Sequence, residues 1–291
     1  MTEKLILVTG GAGHVGSHLV EQLVADPRNH VISLDNYFNG SEENHIPGAE
    51  YRRGHTKDIE TLISENPNIV YHLGEYARVT PSFEDVELVY DMNITGTFGV
   101  VEFCRKRRIG KLVYAASSTK FAIEHNGRHQ NPYSFTKATN VDLINDYGMW
   151  YKLPYAICYF YNGFGPREMG EGKYATLIAK FEQLYLGGKP LTVVAPGTQK
   201  RAFTYVNDLA WGIILVGEKG NGDGYGLSAA KTYSILEIAK AFGGPIEMVE
   251  GYPGREESED RPQKARELGW EPTLDVMDYI RDFVRENPRK I

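Results

Sequence analysis

The sequence predicts an α/β fold built on a doubly wound parallel sheet, and two observations carry that prediction. The first is the opening run Leu5-Ile6-Leu7-Val8, whose four consecutive apolar residues fit a strand buried on both faces. It leads directly into a glycine-rich turn, Gly10-Gly11-Ala12-Gly13-His14-Val15-Gly16, and then into Ser17-His18-Leu19-Val20-Glu21-Gln22-Leu23-Val24 at helical spacing. The second is the alternation of strand-like and helix-like segments through the first half of the chain, the pattern of βαβ units in a parallel sheet.

Glycines 10, 13 and 16 fall three apart. Gly10 permits the sharp turn, Gly13 lets a diphosphate approach the backbone, and Gly16 lets helix and strand pack closely. The first turn of the helix offers unpaired N–H groups to that diphosphate. The plainer alternative is a tight strand–helix turn with no ligand. The position after the first strand, with an acid at the end of the next, favours a Rossmann-type dinucleotide site. That next strand is His30-Val31-Ile32-Ser33-Leu34, ending at Asp35. An acid about 20 residues beyond the glycine turn accepts hydrogen bonds from the adenosine ribose and repels a 2′-phosphate, so NAD is expected rather than NADP. A cap or turn aspartate is the competing explanation. Asn36-Tyr37-Phe38-Asn39-Gly40 is expected as the loop over the adenosine. Pro67-Asn68-Ile69-Val70-Tyr71-His72-Leu73-Gly74 fits a strand ending in a turn, and residues 86–108 fit a helix. Lys111-Leu112-Val113-Tyr114-Ala115-Ala116 fits a further strand, ending in Ser117-Ser118-Thr119.

Chemistry in such a sheet belongs at the carboxyl ends of the strands, where Ser117 lies. Downstream, Asn131-Pro132-Tyr133 opens a helix expected to run to about Tyr151, with Pro132 in its first turn. Tyr133 and Lys137 are four apart and share a face of that helix. A tyrosine hydroxyl ionises near pH ~10 and is a poor base at neutral pH. An ammonium beside it, together with a positive nicotinamide ring, would favour the phenolate. Tyr133 would then take a proton from a sugar hydroxyl while a hydride leaves the same carbon, and Ser117 would hydrogen-bond that oxygen.

Composition excludes several other classes. Hydrophobic residues make up 42% and charged residues 24%, ordinary for a soluble globular protein. A net charge of −6 argues against a nucleic-acid partner. No apolar run is long enough for a bilayer and no secretory signal precedes the first strand, so a soluble cytoplasmic protein is expected. The two cysteines, Cys104 and Cys158, imply neither a disulfide framework nor a zinc site, and no metal is expected.

These residues carry a resemblance that covers nearly the whole chain. The sequence resembles the extended short-chain dehydrogenase/reductases, within them the NAD-dependent sugar-nucleotide epimerase/dehydratase family, and among those the UDP-hexose 4-epimerases. Thr9 to Gly16 matches the opening signature, Tyr133 and Lys137 the tyrosine–lysine pair, and Ser117 the serine or threonine helper. By that resemblance NAD would be held by Gly10, Gly13, His14, Val15 and Gly16, with Asp35, Asn36, Asn39 and Gly40 on the adenosine side. Leu73, Gly74, Tyr76, Asn93, Tyr133, Lys137 and Phe160 would complete its site, Asn93 as a buried support. Phe160-Tyr161-Asn162-Gly163-Phe164-Gly165-Pro166-Arg167 resembles the segment that puts an aromatic, Phe160, on nicotinamide and an asparagine, Asn162, on the nucleotide diphosphate. The stretch 196–208 resembles the one supplying a diphosphate-binding arginine, here Arg201.

The resemblance also implies a smaller mixed α/β C-terminal substrate domain. Residues 1–162 plus about 203–219 are expected to bind NAD; about 163–202 and 220–291 are expected to bind a nucleotide sugar. A helix from Tyr174 to Leu186 and a strand Leu191-Thr192-Val193-Val194 resemble the pieces around the nucleotide base, so Tyr174 and Thr192 are expected to touch substrate. Residues 232–239 fit a helix with a capping-box start, residues 251–261 a surface loop, and a last helix is expected over about 274–286. Lys264-Ala265-Arg266-Glu267-Leu268-Gly269-Trp270-Glu271-Pro272 resembles the closing signature, expected to serve packing.

Four departures from the family pattern qualify these expectations. Where 4,6-dehydratases carry Asp and Glu after the helper residue, this chain has Ser118 and Thr119, which argues against ordinary dehydration. The turn Gly74-Glu75-Tyr76-Ala77-Arg78 is bulkier and more charged than usual. Glu75 and Arg78 stand either near cofactor and substrate or as a solvated pair. Gly54-His55-Thr56-Lys57-Asp58 departs from the usual acidic adenine contact at Asp58. The arginine usual before the late Pro-Gly is absent, and Arg255 is the candidate to replace it. The resemblance thus implies an NAD-dependent nucleotide-sugar 4-epimerase, UDP-sugars favoured, acting as a homodimer through the helix after Val86 and the helix carrying Tyr133. A C4 dehydrogenase or an atypical dehydratase shares the first half-reaction. A catalytically silent NAD-binding regulator is disfavoured by the presence together of Ser117, Tyr133 and Lys137.

Overall fold

The computed structural model describes residues 3–121, 127–252 and 262–289. β1 (Lys4–Thr9) leads into α1 (His14–Val24), β2 (Asn29–Asp35), β3 (Ala49–Arg53), α2 (Ile59–Leu62) and β4 (Ile69–His72). α3 (Val86–Val89), a π-helical turn Tyr90–Thr95 and α4 (Gly96–Arg107) then follow one another without a break. β5 (Leu112–Ser117), α5 (Pro132–Tyr151), β6 (Tyr155–Phe160), β7 (Gly163–Phe164) and α6 (Leu177–Leu186) come next. The chain continues through β8 (Leu191–Val194), β9 (Lys200–Ala202), β10 (Thr204–Tyr205), α7 (Val206–Lys219) and β11 (Gly222–Leu227). It closes with β12 (Thr232–Ser234), α8 (Ile235–Phe242), β13 (Ile246–Val249), α9 (Gln263–Glu267) and α10 (Val276–Glu286).

Seven strands form one sheet in the order β11-β6-β5-β4-β1-β2-β3, every neighbouring pair parallel. The chain reverses direction across the sheet between β1 and β4. Side chains along β1 alternate between two cores: Leu7 packs on the α4 and α5 side, Ile6 and Val8 on the α1 and α7 side. That double burial is why the strand is apolar without interruption. Each such side chain, fully buried, contributes roughly 1.5–3 kcal/mol.

A second core lies over the carboxyl end of the sheet. Phe164, Ile178, Phe181, Leu191, Val193, Ile238, Phe242 and Ile280 build it from β7, α6, β8, α8 and α10. Small two-stranded pairs hold it together: β7 with β10, β8 with β13, and β9 with β12. Trp270 locks the closing segment to the sheet. It is fully buried, and its indole N–H donates to the Asp208 carbonyl at 2.9 Å. The Asp208 carboxylate accepts from the Thr273 N–H at 2.8 Å and hydroxyl at 2.7 Å.

The structure differs from the sequence expectations at definite places. The helix expected from Tyr174 begins at Leu177, because Tyr174 is held by other partners described below. Thr232–Ser234 pairs with β9, and the helix starts at Ile235, where Ser234 and Glu237 complete the capping box. Gly222–Leu227 is the edge strand beside β6, so it stands with the large sheet and not with the substrate region to which the division at 220 assigned it. The loop expected over 251–261 lies almost entirely outside the described residues.

Candidate active site

A cavity of about 1060 Å³ opens at the carboxyl ends of β1, β2, β4, β5 and β6 and extends under the second core. It spans the point where strand order reverses, the place such sheets bind ligands.

At the dinucleotide end, Gly10 has φ +75°, and a Cβ there would fall 2.8 Å from the Gly74 nitrogen. A Cβ on Gly16 would fall 2.0 Å from the Gly10 carbonyl oxygen. Gly13 is the N-cap of α1 and no side chain caps the helix, so its first N–H groups are left free of a side-chain partner beside His14 and Val15 in the cavity wall. His14 also lines the cavity; burial pushes its imidazole well down, to about 3, so it is neutral. Asp35 is buried; one oxygen accepts from the Ala12 N–H at 2.9 Å and the other from the Tyr37 N–H at 2.8 Å. Burial raises its carboxyl above the usual range. Gly40 stands against it, where a Cβ would lie 3.1 Å from both oxygens. Asn36, Asn39, Leu73 and Gly74 complete this end. Among the described residues Asn39 Oδ1 and His14 Nε2 are buried without a partner. Orphaned polar atoms beside a helix N-terminus and an acid fit an adenine dinucleotide.

Further along the cavity, Ser117 closes β5 in register with Phe160 of β6. Ser117 Oγ accepts from the Thr119 N–H at 3.2 Å and hydroxyl at 3.0 Å, leaving its own O–H to donate elsewhere. α5 is capped by Asn131, whose Oδ1 accepts the Ser134 N–H at 2.8 Å, and Pro132 occupies its first turn. That start places Tyr133 and, one turn on, Lys137 in the wall of the cavity. Lys137 Nζ donates to the Ala115 carbonyl and to Glu75, and lies 4.5 Å from the Tyr114 ring centroid. Asn162, Thr192 and Arg201 line the opposite end, under the second core. Asn162 donates to the Ala202 carbonyl at 2.8 Å, and Thr192 Oγ1 is buried without a partner among the described residues.

Two expected contacts, Tyr76 and Tyr174, do not line the cavity, and Asn93 stands behind it as the buried support expected. Tyr76 is fully buried, its N–H donating to Asn93 Oδ1 at 2.7 Å and its hydroxyl to Asp85 at 2.8 Å. Asn93 is fully buried and donates to Thr136 at 3.0 Å, so it braces the π-helical turn against α5 from behind. Tyr174 packs on Phe38 with centroids 5.0 Å apart and donates to Asp85 at 2.9 Å, which turns it away from the site expected for it. Arg255 lies outside the described residues. Asp58 stands outside the cavity too, whereas Gly54, His55 and Thr56 line it.

Glu75 and Arg78 are not a solvated pair. The Glu75 side chain is 2% exposed beneath Lys137. Arg78 lines the cavity, its Nε donating to the Tyr174 carbonyl at 2.6 Å. Glu168 also lines it and carried no sequence signal. Burial pushes its carboxyl up to about 7, and its Oε2 is unpartnered among the described residues.

No group of three metal-ligating side chains occurs among the described residues, and none of their helices is long and apolar enough to cross a membrane. The sequence model of the NAD dependent epimerase/dehydratase family matches residues 6–227. A putative UDP-glucose 4-epimerase of Methanocaldococcus jannaschii is 30% identical over 301 residues, covering 96% of this chain and 97% of that protein. UDP-glucuronic acid decarboxylase 6 of Arabidopsis thaliana is 28% identical over 306 residues, covering 94% and 86%. The crystal structure of Thermus thermophilus UDP-glucose 4-epimerase in complex with NAD superposes with a TM-score of 0.85 at 27% identity, covering 97% of this chain and 99% of that one.

Proposed function

The chain belongs to the NAD-dependent epimerase/dehydratase family, and we propose that within it this protein is a nucleotide-sugar 4-epimerase, with a UDP-sugar as substrate. One observation carries the reading: Ser117, Tyr133 and Lys137 all line the cavity, while the two places after Ser117 hold hydroxyl side chains, Ser118 and Thr119. The glycine turn, the α1 N-terminus and Asp35 hold NAD, which when bound supplies the acceptor and then the donor of a hydride at C4. Tyr133 takes the proton of the C4 hydroxyl and later returns one. Ser117 donates its free O–H to the C4 oxygen and fixes its position. Lys137 stabilises the phenolate electrostatically. Rotation of the resulting 4-keto sugar within the cavity exposes its other face for reduction. Asn162, Thr192 and Arg201 hold the nucleotide while this happens.

A second reading shares the first half-reaction. Glu168, a carboxyl that titrates near neutrality inside the cavity, would serve as an acid–base group for elimination after C4 oxidation. A homodimer fits an exposed apolar strip of Val86, Tyr90, Phe98, Met149, Trp150 and Tyr151 along the α3–α4 stretch and α5. A reducing compartment such as the cytoplasm suits Cys104 and Cys158, both buried free thiols.

The test is to incubate the purified protein with a panel of UDP- and GDP-sugars without added cofactor, and to follow products by mass and NMR. Unchanged mass with inverted C4 is expected for a UDP-sugar. Loss of water favours the Glu168 reading, and loss of two hydrogens makes the protein a dehydrogenase.

A further inference from the structure

Four donors converge on the buried Glu75 carboxylate. Oε1 accepts from the Thr97 hydroxyl at 2.9 Å, the Tyr114 hydroxyl at 3.0 Å and the Asn140 amide at 2.8 Å. Oε2 accepts from Lys137. A side chain that only accepts is an ionised carboxylate. The hydrogen bonds behind it run in one direction. Thr97 gives its single proton to Glu75, so His72 Nε2, 2.9 Å away, must donate to Thr97. His72 Nδ1 then accepts from the Thr9 hydroxyl at 2.7 Å. That neutral tautomer agrees with the burial that pushes His72 down to about 4. The chain ends at the glycine turn, where Thr9 Oγ1 accepts from the Gly74 N–H at 3.0 Å. Each N–H and O–H named here has an acceptor, while the buried Asn140 Oδ1 has no partner among the described residues.

We propose that Glu75 is a positioning residue for Tyr133: by pairing with Lys137 in the wall of the cavity it fixes the ammonium and offsets its charge. The proton affinity of the Tyr133 phenol is then set by a neutral ion pair and not by a bare cation. The inference rests on the acid–base reading of Tyr133 and Lys137. With Glu75 and the Ala115 carbonyl as partners, Lys137 keeps one N–H of three for a ligand. The charged and titratable groups facing this cluster are Lys137 and Tyr133 on α5, Tyr114 on β5, His72 on β4, and Arg78 and Glu168 from the cavity. Among the described residues only Glu75 meets Lys137 in an ion pair.

The test needs no sugar, so it is independent of whether the substrate is found. The ionisation of Tyr133 is followed by ultraviolet difference titration, subtracting in each background the version that also carries Tyr133→Phe. In Glu75→Gln, close in shape but uncharged, and in Glu75→Ala, a small residue, Tyr133 should ionise at a pH lower by about one unit or more. Glu75→Asp keeps the charge and should stay closer to the parent than either. If Glu75→Gln does not fold, Ala against Asp decides by the same rule. An unchanged or upward titration in the uncharged variants, or an Asp variant shifted as far as they are, overturns the proposal. A role confined to packing would leave the titration where it is.

Discussion

Tyr133→Phe is expected to abolish turnover of the UDP-sugar while leaving NAD bound. The substitution removes one oxygen and keeps the ring in its apolar surroundings of Tyr76, Val89 and Met92. Neither Ser117 nor Lys137 can take its place. Ser117 presents a neutral hydroxyl, a donor and not a base at neutral pH. Lys137 is engaged by Glu75 and the Ala115 carbonyl. Loss of a general acid–base group should lower kcat by roughly 10³-fold or more, the upper part of the range for such groups. The glycine turn and Asp35 are untouched, so cofactor released on denaturation should match the parent chain for chain. Turnover within about tenfold of the parent would remove Tyr133 from the role of base.

Gly16→Ala is expected to destabilise the fold and strip the cofactor together. The new methyl would sit 2.0 Å from the Gly10 carbonyl oxygen, 2.8 Å from its carbon and 2.9 Å from the Gly11 Cα. All three are backbone atoms, so no side-chain rotation relieves the clash, and α1 must move away from β1. The cost should reach about 3 kcal/mol or more, at or above the top of the usual overpacking range. The α1 N-terminus would leave its position over the diphosphate in the same movement. Urea denaturation and the amount of NAD carried through purification measure the two effects. A variant with the parent's midpoint and full NAD would mean the turn does not need this close approach.

Local signals in the sequence single out residues that line the cavity at both ends, because each depends on neighbours close in the chain. The glycine turn is set by spacing within one strand–helix unit. Tyr133 and Lys137 follow from one helix with its own start signal, Asn131-Pro132. Elements built by tertiary contact were not legible. β3 has no buried residue at the sheet edge, and β11 contains three glycines, so both exist by pairing with a stronger neighbour. Tyr174 stands off the cavity because its partner Asp85, which holds it, lies 89 residues earlier. Glu75 stood out only as a departure from the family's small residues. Its meaning needed the turn after β4 to fold beneath α5, bringing together residues 62 apart in sequence. Glu168 gives no signal, since burial is the main cause that perturbs it and burial is not written in the residues beside it.

The central claim is that a hydride leaves C4 of the sugar and returns to the opposite face of the same carbon without leaving the site. The measurement that tests it most directly uses the UDP-sugar found in the panel, deuterated at C4, with no added cofactor. The account predicts a product inverted at C4 that keeps its deuterium there. Inversion with the deuterium lost to solvent, or no inversion with any UDP-sugar, would contradict it.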